Sequence, residues 1–216
     1  MRRKKILVIN PNSNETVTAG LRESLSEFGK RADINCCTLA EGPFGIETDE
    51  DVARVVPLVV QRVLASLEYD AFVIACYSDP GLWECRELSG RPVFGMQQSA
   101  VETAVSFGGK FGVLALSDES IRRHTAYIRK MGFESLLAGE LPLNISVDEA
   151  ANDDGTLVKV IAAGRRLIDE YGASSLILGC AGMAAIKRTA ETKLPVPVIE
   201  PAQAAVGLAI GLPGLP

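Results

Sequence analysis

A single histidine, His124, and five cysteines, at positions 36, 37, 76, 85 and 180, leave this chain poor in metal ligands. No two cysteines stand in CxxC spacing, so a zinc site would have to be gathered from scattered positions, and neither a metal nor a thioredoxin-type redox pair is expected. An odd number of thiols also argues against a secreted disulfide scaffold. Reduced thiols in a cytoplasmic protein are the expectation. No apolar run approaches the ~18 residues of a membrane span, and "KKILVINPNSN" turns polar too soon for a signal peptide. Basic charge is lacking as well. A formal net charge of −5 offers no field for a phosphate backbone, and the cluster Arg2 to Lys5 solvates the entrance to a strand. Neither nucleic acid nor a membrane is expected as a partner.

What is present is the composition of a globular protein, 47% hydrophobic and 23% charged over 216 residues, long enough to bury a sizeable core. "KILVIN" (5–10) reads as a strand. Val17, Leu21, Leu25 and Phe28 then recur at helical spacing after a Ser13 or Asn14 cap. A strand at 33–39, a turn "EGPFG" and a helix over 49–68 follow, the helix burying Val52, Val55, Val56, Val59, Val63 and Leu67 and kinked at Pro57. "YDAFVIACYSDPG" (69–81) is a buried strand breaking at a polar turn, "PGLWECREL" a short helix, and "RPVFGM" (91–96) another strand.

The pattern then restarts. "GGKFGVLALSDES" (108–120) is again a Lys-led strand ending at serine. A helix over 119–131, a strand in "MGFESLLA", a loop with "NDDG", a helix over 155–170, the strand "SSLILGC" (174–180) and a closing strand and helix in "VPVIEPAQAAVGLAI" complete it. Lys5 to Cys76 spans 71 positions and Lys110 to Cys180 spans 70, with Asp70 and Ser174 each six positions before its cysteine. The repeat predicts an α/β fold of two similar lobes, each around a mainly parallel sheet, related by a pseudo-two-fold axis with the active site in the cleft between them. The first lobe is expected to comprise 1–95 with a C-terminal helix in 201–216 packing back, and the second 96–200.

In open α/β sheets ligands bind at the carboxyl ends of the strands, where Asn10, Cys76, Ser117 and Cys180 all fall. Cys36, Cys37 and Cys85 read as packing. Cys76 and Cys180 each precede a turn that opens a helix, where backbone N–H groups draw a thiol's pKa down toward neutrality. One thiolate can take a proton from an acidic carbon while the other thiol returns one to the opposite face. Tyr77, Ser78, Ala181 and Gly182, with the Ser117 hydroxyl, are the donors expected around the developing oxyanion. "NPNSN" offers Asn10, Asn12 and Ser13 to urea or imide groups, although an Asx turn leading into a cap would use the same residues. "EGPFGIET" is either a plain turn or a lid or wall contributing Phe44, Ile46 and Glu47, and Trp83 either packs between helices or lines the pocket. His124, in "ESIRRHTAYIRK", reads as solvated or partly satisfied on a surface helix. The motif loops "NPNSN", "CYSDPG" and "GCAGMA" carry no lysine or arginine, which favours a small neutral cyclic amide or ureide over a carboxylate.

On these residues the chain resembles the hydantoin and allantoin racemases of the aspartate/glutamate racemase superfamily. "VINPNSN", "ACYSDPGL", "PVFGMQQSAVETA", "GKFGVLAL" and "LILGCAGM" carry the likeness across nearly the whole chain. The resemblance implies racemisation at C5 of a 5-substituted hydantoin, allantoin included. It also implies Cys76 and Cys180 as acid/base thiols, Asn10 and the residues beside each cysteine as ring contacts, no cofactor or metal, and a homo-oligomer. Tyr77 and Ser78 stand where the family commonly has phenylalanine and glycine, and Gln97 and Gln98 where an acidic residue is common. A maleate-isomerase-like enzyme acting on a small carboxylate and a catalytically silent sensor are the alternatives.

Overall fold

Residues 6–9, 71–75, 111, 113–116 and 176–178 are almost wholly buried, as parallel strands covered by helices on both faces require. The computed structural model describes residues 2–152 and 155–212; Asp153 and Asp154 of the "NDDG" loop and residues 213–216 of the expected first lobe lie outside them. The first half runs β1 (Lys4–Asn10), α1 (Glu15–Leu25), β2 (Ala32–Thr38), α2 (Asp49–Leu64), β3 (Ala71–Ile74), α3 (Leu82–Ser89), β4 (Val93–Gly95) and α4 (Met96–Ser106). The second runs β5 (Lys110–Ala115), α5 (Asp118–Lys130), β6 (Leu137–Pro142), α6 (Val147–Asn152), α7 (Gly155–Asp169), β7 (Ala173–Leu178), α8 (Lys187–Glu191), β8 (Val198–Ile199) and α9 (Pro201–Gly211).

Each half builds one four-stranded sheet, ordered β2-β1-β3-β4 and β6-β5-β7-β8, and every pairing is parallel. The two orders are the same pattern shifted by four strands. The helices are set by local chemistry. Asn14 caps α1 by accepting from Thr16 N at 3.0 Å. Thr48 and Asp51 close a capping box on α2, and Ser117 caps α5. Glu200 caps α9 by accepting from the N–H groups of Ala202 and Gln203. Helix α9 leaves the second sheet and packs against β1, β3, β4 and α4, where Lys4 Nζ donates to the carbonyls of Ala209 and Ile210.

Three expectations are corrected. Helix α2, which carries Pro57 in its interior, ends at Leu64, so Leu67 is 40% exposed. The strand expected in "MGFESLLA" begins only at Leu137, because Glu134–Leu136 form a 3-10 turn. Residues 97–106, given no element by the sequence pattern, form α4 together with Met96, which the same pattern puts at the end of the preceding strand. Cys85 is buried, as expected of packing, while Trp83 lies 54% exposed under the Arg86 guanidinium, with Tyr127 of α5 beside it, and does not line the cleft.

Candidate active site

Strand β3 ends at Ile74 and β7 at Leu178, so Cys76 and Cys180 each stand two residues beyond the carboxyl end of a central strand. Both line one cavity of about 30 Å³, together with Tyr77, Ser78, Ala181 and Gly182 from their own loops. Asn12 and Ile46 line it from the first lobe, and Ser120, Arg123, His124 and Val147 from the second. The sheets thus deliver one thiol from each lobe to the same space.

The glycines beside Cys180 have separate reasons. A Cβ at Gly179 would stand 2.7 Å from the Leu114 carbonyl oxygen, so only glycine lets this turn pass so close to β5. A Cβ at Gly182 would press on Val147 O at 3.1 Å and Ala150 Cβ at 3.2 Å, where α6 closes over the loop. Cys180 itself caps the 3-10 turn Ala181–Ile186, its Sγ accepting from Gly182 N at 3.3 Å. The Cys76 loop is held differently. Asp79, in the left-handed region at φ 45°, accepts from the N–H groups of Gln97 and Gln98, each at 2.9 Å, and so caps α4 rather than its own helix α3. The backbone N–H groups of Tyr77 and Ala181 meet no backbone acceptor among the described residues.

Burial governs the electrostatics. It pushes the Cys76 thiol up to about 11, with the Asp79 charge adding to the rise and the Ser78 N–H, the Arg123 charge and the Ser78 hydroxyl pulling the other way. It pushes Cys180 up to about 12 against the Gly182 N–H, with the charges of Cys76 and Glu47 adding to the rise. The expected fall toward neutrality is overturned for a structural reason. Cys76 leads into a left-handed turn, and the segment after Cys180 is a six-residue 3-10 turn. Neither supplies the aligned dipole that would offset desolvation. Asp79, fully enclosed, is carried up to about 7 by burial, against its bonds to Gln98 and Gln97 and the Arg86 charge.

Of the residues expected to bind substrate, Asn12, Ile46, Tyr77, Ser78, Ala181 and Gly182 line the cavity, and Asn10, Ser13, Phe44 and Ser117 do not. Asn10 is spent on structure: its Nδ2 donates to Asn12 Oδ1, Asn14 O and Thr18 Oγ1, and its Oδ1 accepts from Asn12 N. Ser13 N is tied to Pro43 O at 2.9 Å, Phe44 is 59% exposed, and Ser117 Oγ is engaged with Ser120. Asn12 Oδ1 is taken up by Asn10 and Asn14, while its Nδ2 has no hydrogen-bond partner among the described residues. Gln97 and Gln98 stay outside the cavity, their amides turned to His124 O and Glu102.

Sequence reasoning missed Ser120, Arg123 and His124. His124 is not solvated but buried, its Nδ1 3.2 Å from Glu140 Oε2, and the two side chains are 3% and 1% exposed. The Tyr77 ring meets it edge to face with centroids 4.7 Å apart. A signal was present: Ser120, His124 and Ile128 are spaced by four, so the helix must turn two polar residues inward with its one apolar anchor. Among the described residues no group of three or more His, Cys, Asp or Glu could hold a metal ion, and no helix is long and apolar enough to cross a membrane.

The family model described as Asp/Glu/Hydantoin racemase matches residues 6–209. A hydantoin racemase of Paenarthrobacter aurescens is 32% identical over 217 residues, covering 98% of this chain and 92% of that protein. Another, from Pseudomonas sp. strain NS671, is 30% identical over 210 residues, covering 95% and 84%. Among solved structures, an allantoin racemase from Klebsiella pneumoniae superposes with a TM-score of 0.91 at 27% identity, covering 95% of this chain and 86% of that one.

Proposed function

The chain belongs to the Asp/Glu/hydantoin racemase family, and from that premise we propose that it inverts C5 of a 5-substituted hydantoin, with Cys76 and Cys180 as opposed acid and base. The observation carrying this reading is that two thiols, one from each lobe and at matching strand ends, line a single small cavity.

Removal of the C5 proton is difficult because charge must move onto the neighbouring carbonyl oxygen. A thiolate on one side accepts the proton, and the enolate becomes planar. The thiol on the other side then donates its proton, leaving inverted substrate and the thiolate exchanged between the two cysteines. The N–H groups of Tyr77 and Ala181, which no backbone acceptor occupies, suit the oxyanion, and Asn12 Nδ2 suits a ring carbonyl. Since both thiols are held above the usual range, the thiolate form is scarce at neutral pH. The hydrophobic surroundings that cause this also strengthen each hydrogen bond to the enolate once it forms.

A cavity of about 30 Å³ holds about one water, less than a five-membered ureide ring. Admission of substrate therefore requires the lining to widen, and the wall carrying Ile46, segment 41–48, is one that could shift. Glu47 fastens it to the second lobe, its Oε1 accepting from Val147 N at 2.8 Å and its carbonyl from Arg123 at 2.9 Å.

The test follows optical rotation and proton NMR together, using single-enantiomer 5-methyl-, 5-benzyl- and 5-ureidohydantoin in deuterated buffer. Loss of rotation with deuterium entering C5 is expected. Unchanged rotation with no exchange on all three, and on the carboxylated hydantoins described below, would remove the reading.

A further inference from the structure

We propose that Arg123 recognises a carboxylate on the C5 substituent, making 5-(carboxyalkyl)hydantoins the preferred substrate class. This rests on the hydantoin-racemase reading above, and it reverses the expectation of a wholly neutral substrate. The motif loops do lack cations, but Arg123 reaches the same cavity from α5, between Ser120 and His124.

Its side chain is 11% exposed, and its donors are only partly used. Nη2 donates to Glu47 O at 2.9 Å and approaches Ser120 Oγ at 3.4 Å. Nε and Nη1 are buried with no hydrogen-bond acceptor among the described residues. The carboxylates of Asp49 and Glu119 stand 3.6 and 3.4 Å from Nη1 and are themselves 58% and 47% exposed. Such solvated partners are screened and balance a sheltered guanidinium weakly. The two buried acceptors nearby are committed elsewhere, Glu140 to His124 and Asp79 to the N-terminus of α4.

A guanidinium presents its N–H groups as a planar fork that matches a carboxylate, and orphaned buried donors are costly to leave unmet. A carboxylate entering with the substrate would meet Nε and Nη1, with the Ser120 hydroxyl beside them. The charge would lie on the substituent, away from the ring carbon that the thiols address, so it would fix orientation without opposing enolate formation at C5.

The experiment compares kcat/KM for racemisation of single-enantiomer 5-(carboxymethyl)hydantoin with its neutral isostere 5-(carbamoylmethyl)hydantoin. The carboxylate is expected to win by about 10- to 100-fold, mostly through KM. Arg123→Gln should bring the ratio to about one, Arg123→Lys should keep part of it, and Arg129→Gln, on the exposed part of the same helix, should keep all of it. A wild-type ratio of one or below, or the same preference in Arg123→Gln, would overturn the proposal. So would an equal loss on both substrates in Arg123→Gln with a displaced pH profile, which would make Arg123 a support for the Cys76 thiolate instead. Calorimetric binding of the two hydantoins applies the same ratio without turnover. If binding shows the preference and no compound racemises, the racemase reading fails and the recognition by Arg123 stands.

Discussion

The two lobes repeat one another down to individual hydrogen bonds. Ala75 N donates to Ile9 O and Gly179 N to Leu114 O; Leu39 N donates to Asn10 O and Leu143 N to Ala115 O; Phe72 N donates to Pro92 O and Leu176 N to Pro197 O. These pairs set the loops that carry Cys76 and Cys180 at corresponding places. Past the cysteines each loop closes the same turn, Asp79 N donating to Cys76 O and Met183 N to Cys180 O, and each thiol takes up the N–H two residues on, from Ser78 and from Gly182. The lobes part at the anchor: Asp79 reaches across to cap α4, and Met183 stands at the matching place in the second loop. The first lobe also has clean strand register, while β5 shifts register against both neighbours. A duplicated frame fixes where the two thiols go, and the loops then differ in what anchors them.

The largest effect should come from removing either thiol. Cys76→Ser and Cys180→Ser are each expected to lower kcat for racemisation by about 10²- to 10⁴-fold, the range for loss of a positioned acid or base. If the lobes address opposite faces, the two variants will retain C5 deuterium exchange for opposite enantiomers. Retention for the same enantiomer would break the comparison.

Next is the pH dependence shared by both loops. With the thiols raised to about 11 and about 12, kcat/KM should climb about tenfold per pH unit between about pH 7 and 9, the slope of a base titrating above that window. A plateau near pH 7 would show that a thiol is far more acidic than its surroundings imply. Rates of alkylation with iodoacetamide, read by mass spectrometry at each cysteine, would say which one.

A smaller effect separates the residues before each cysteine. Ala75 tolerates a Cβ where Gly179 does not, so Gly179→Ala should lower stability by about 1–3 kcal/mol, the usual range for overpacking, and lower kcat. Ala75→Gly should change kcat little. Thermal unfolding and steady-state kinetics on both variants check this.

The last contrast concerns Asp79. Its pKa in the fold, about 7, lies above the ordinary value of about 3.9, so the folded state holds the proton more tightly. Stability is then fullest below about pH 4, declines as pH rises to about 7 and is level beyond. Asp79→Asn should flatten that decline in urea melts, and Cys180, whose loop has no carboxylate anchor, should show no counterpart.

Much of this was legible in residue order. Aliphatic runs buried on both faces read as parallel strands, and the near-equal spacing from Lys5 to Cys76 and from Lys110 to Cys180 exposed the repeat. The motif loops named Cys76, Ser78, Cys180 and Gly182 as neighbours of a cleft. Asn10 and Asn12 could not be told apart by pattern, because an Asx turn and a ligand contact call for the same side chain. Only the hydrogen bonds show Asn10 saturated and Asn12 with an Nδ2 that meets no acceptor among the described residues. Helix α4 carried no clean apolar stripe, since it is packed on several sides and buries Gln97 and Ser99 along with Met96 and Val101.

The sequence by itself determined the alternation of strands and helices, the duplication, and the placing of a thiol just past each central strand, because these depend on local spacing and on the burial demanded by aliphatic runs. Tertiary structure alone decided that α5 brings Arg123 to the cleft, that Glu140 meets His124, and that both thiols are raised rather than lowered. Those outcomes depend on which surfaces exclude water and which charges come together across the lobes. Positions far apart in the chain set both, and no local pattern records them.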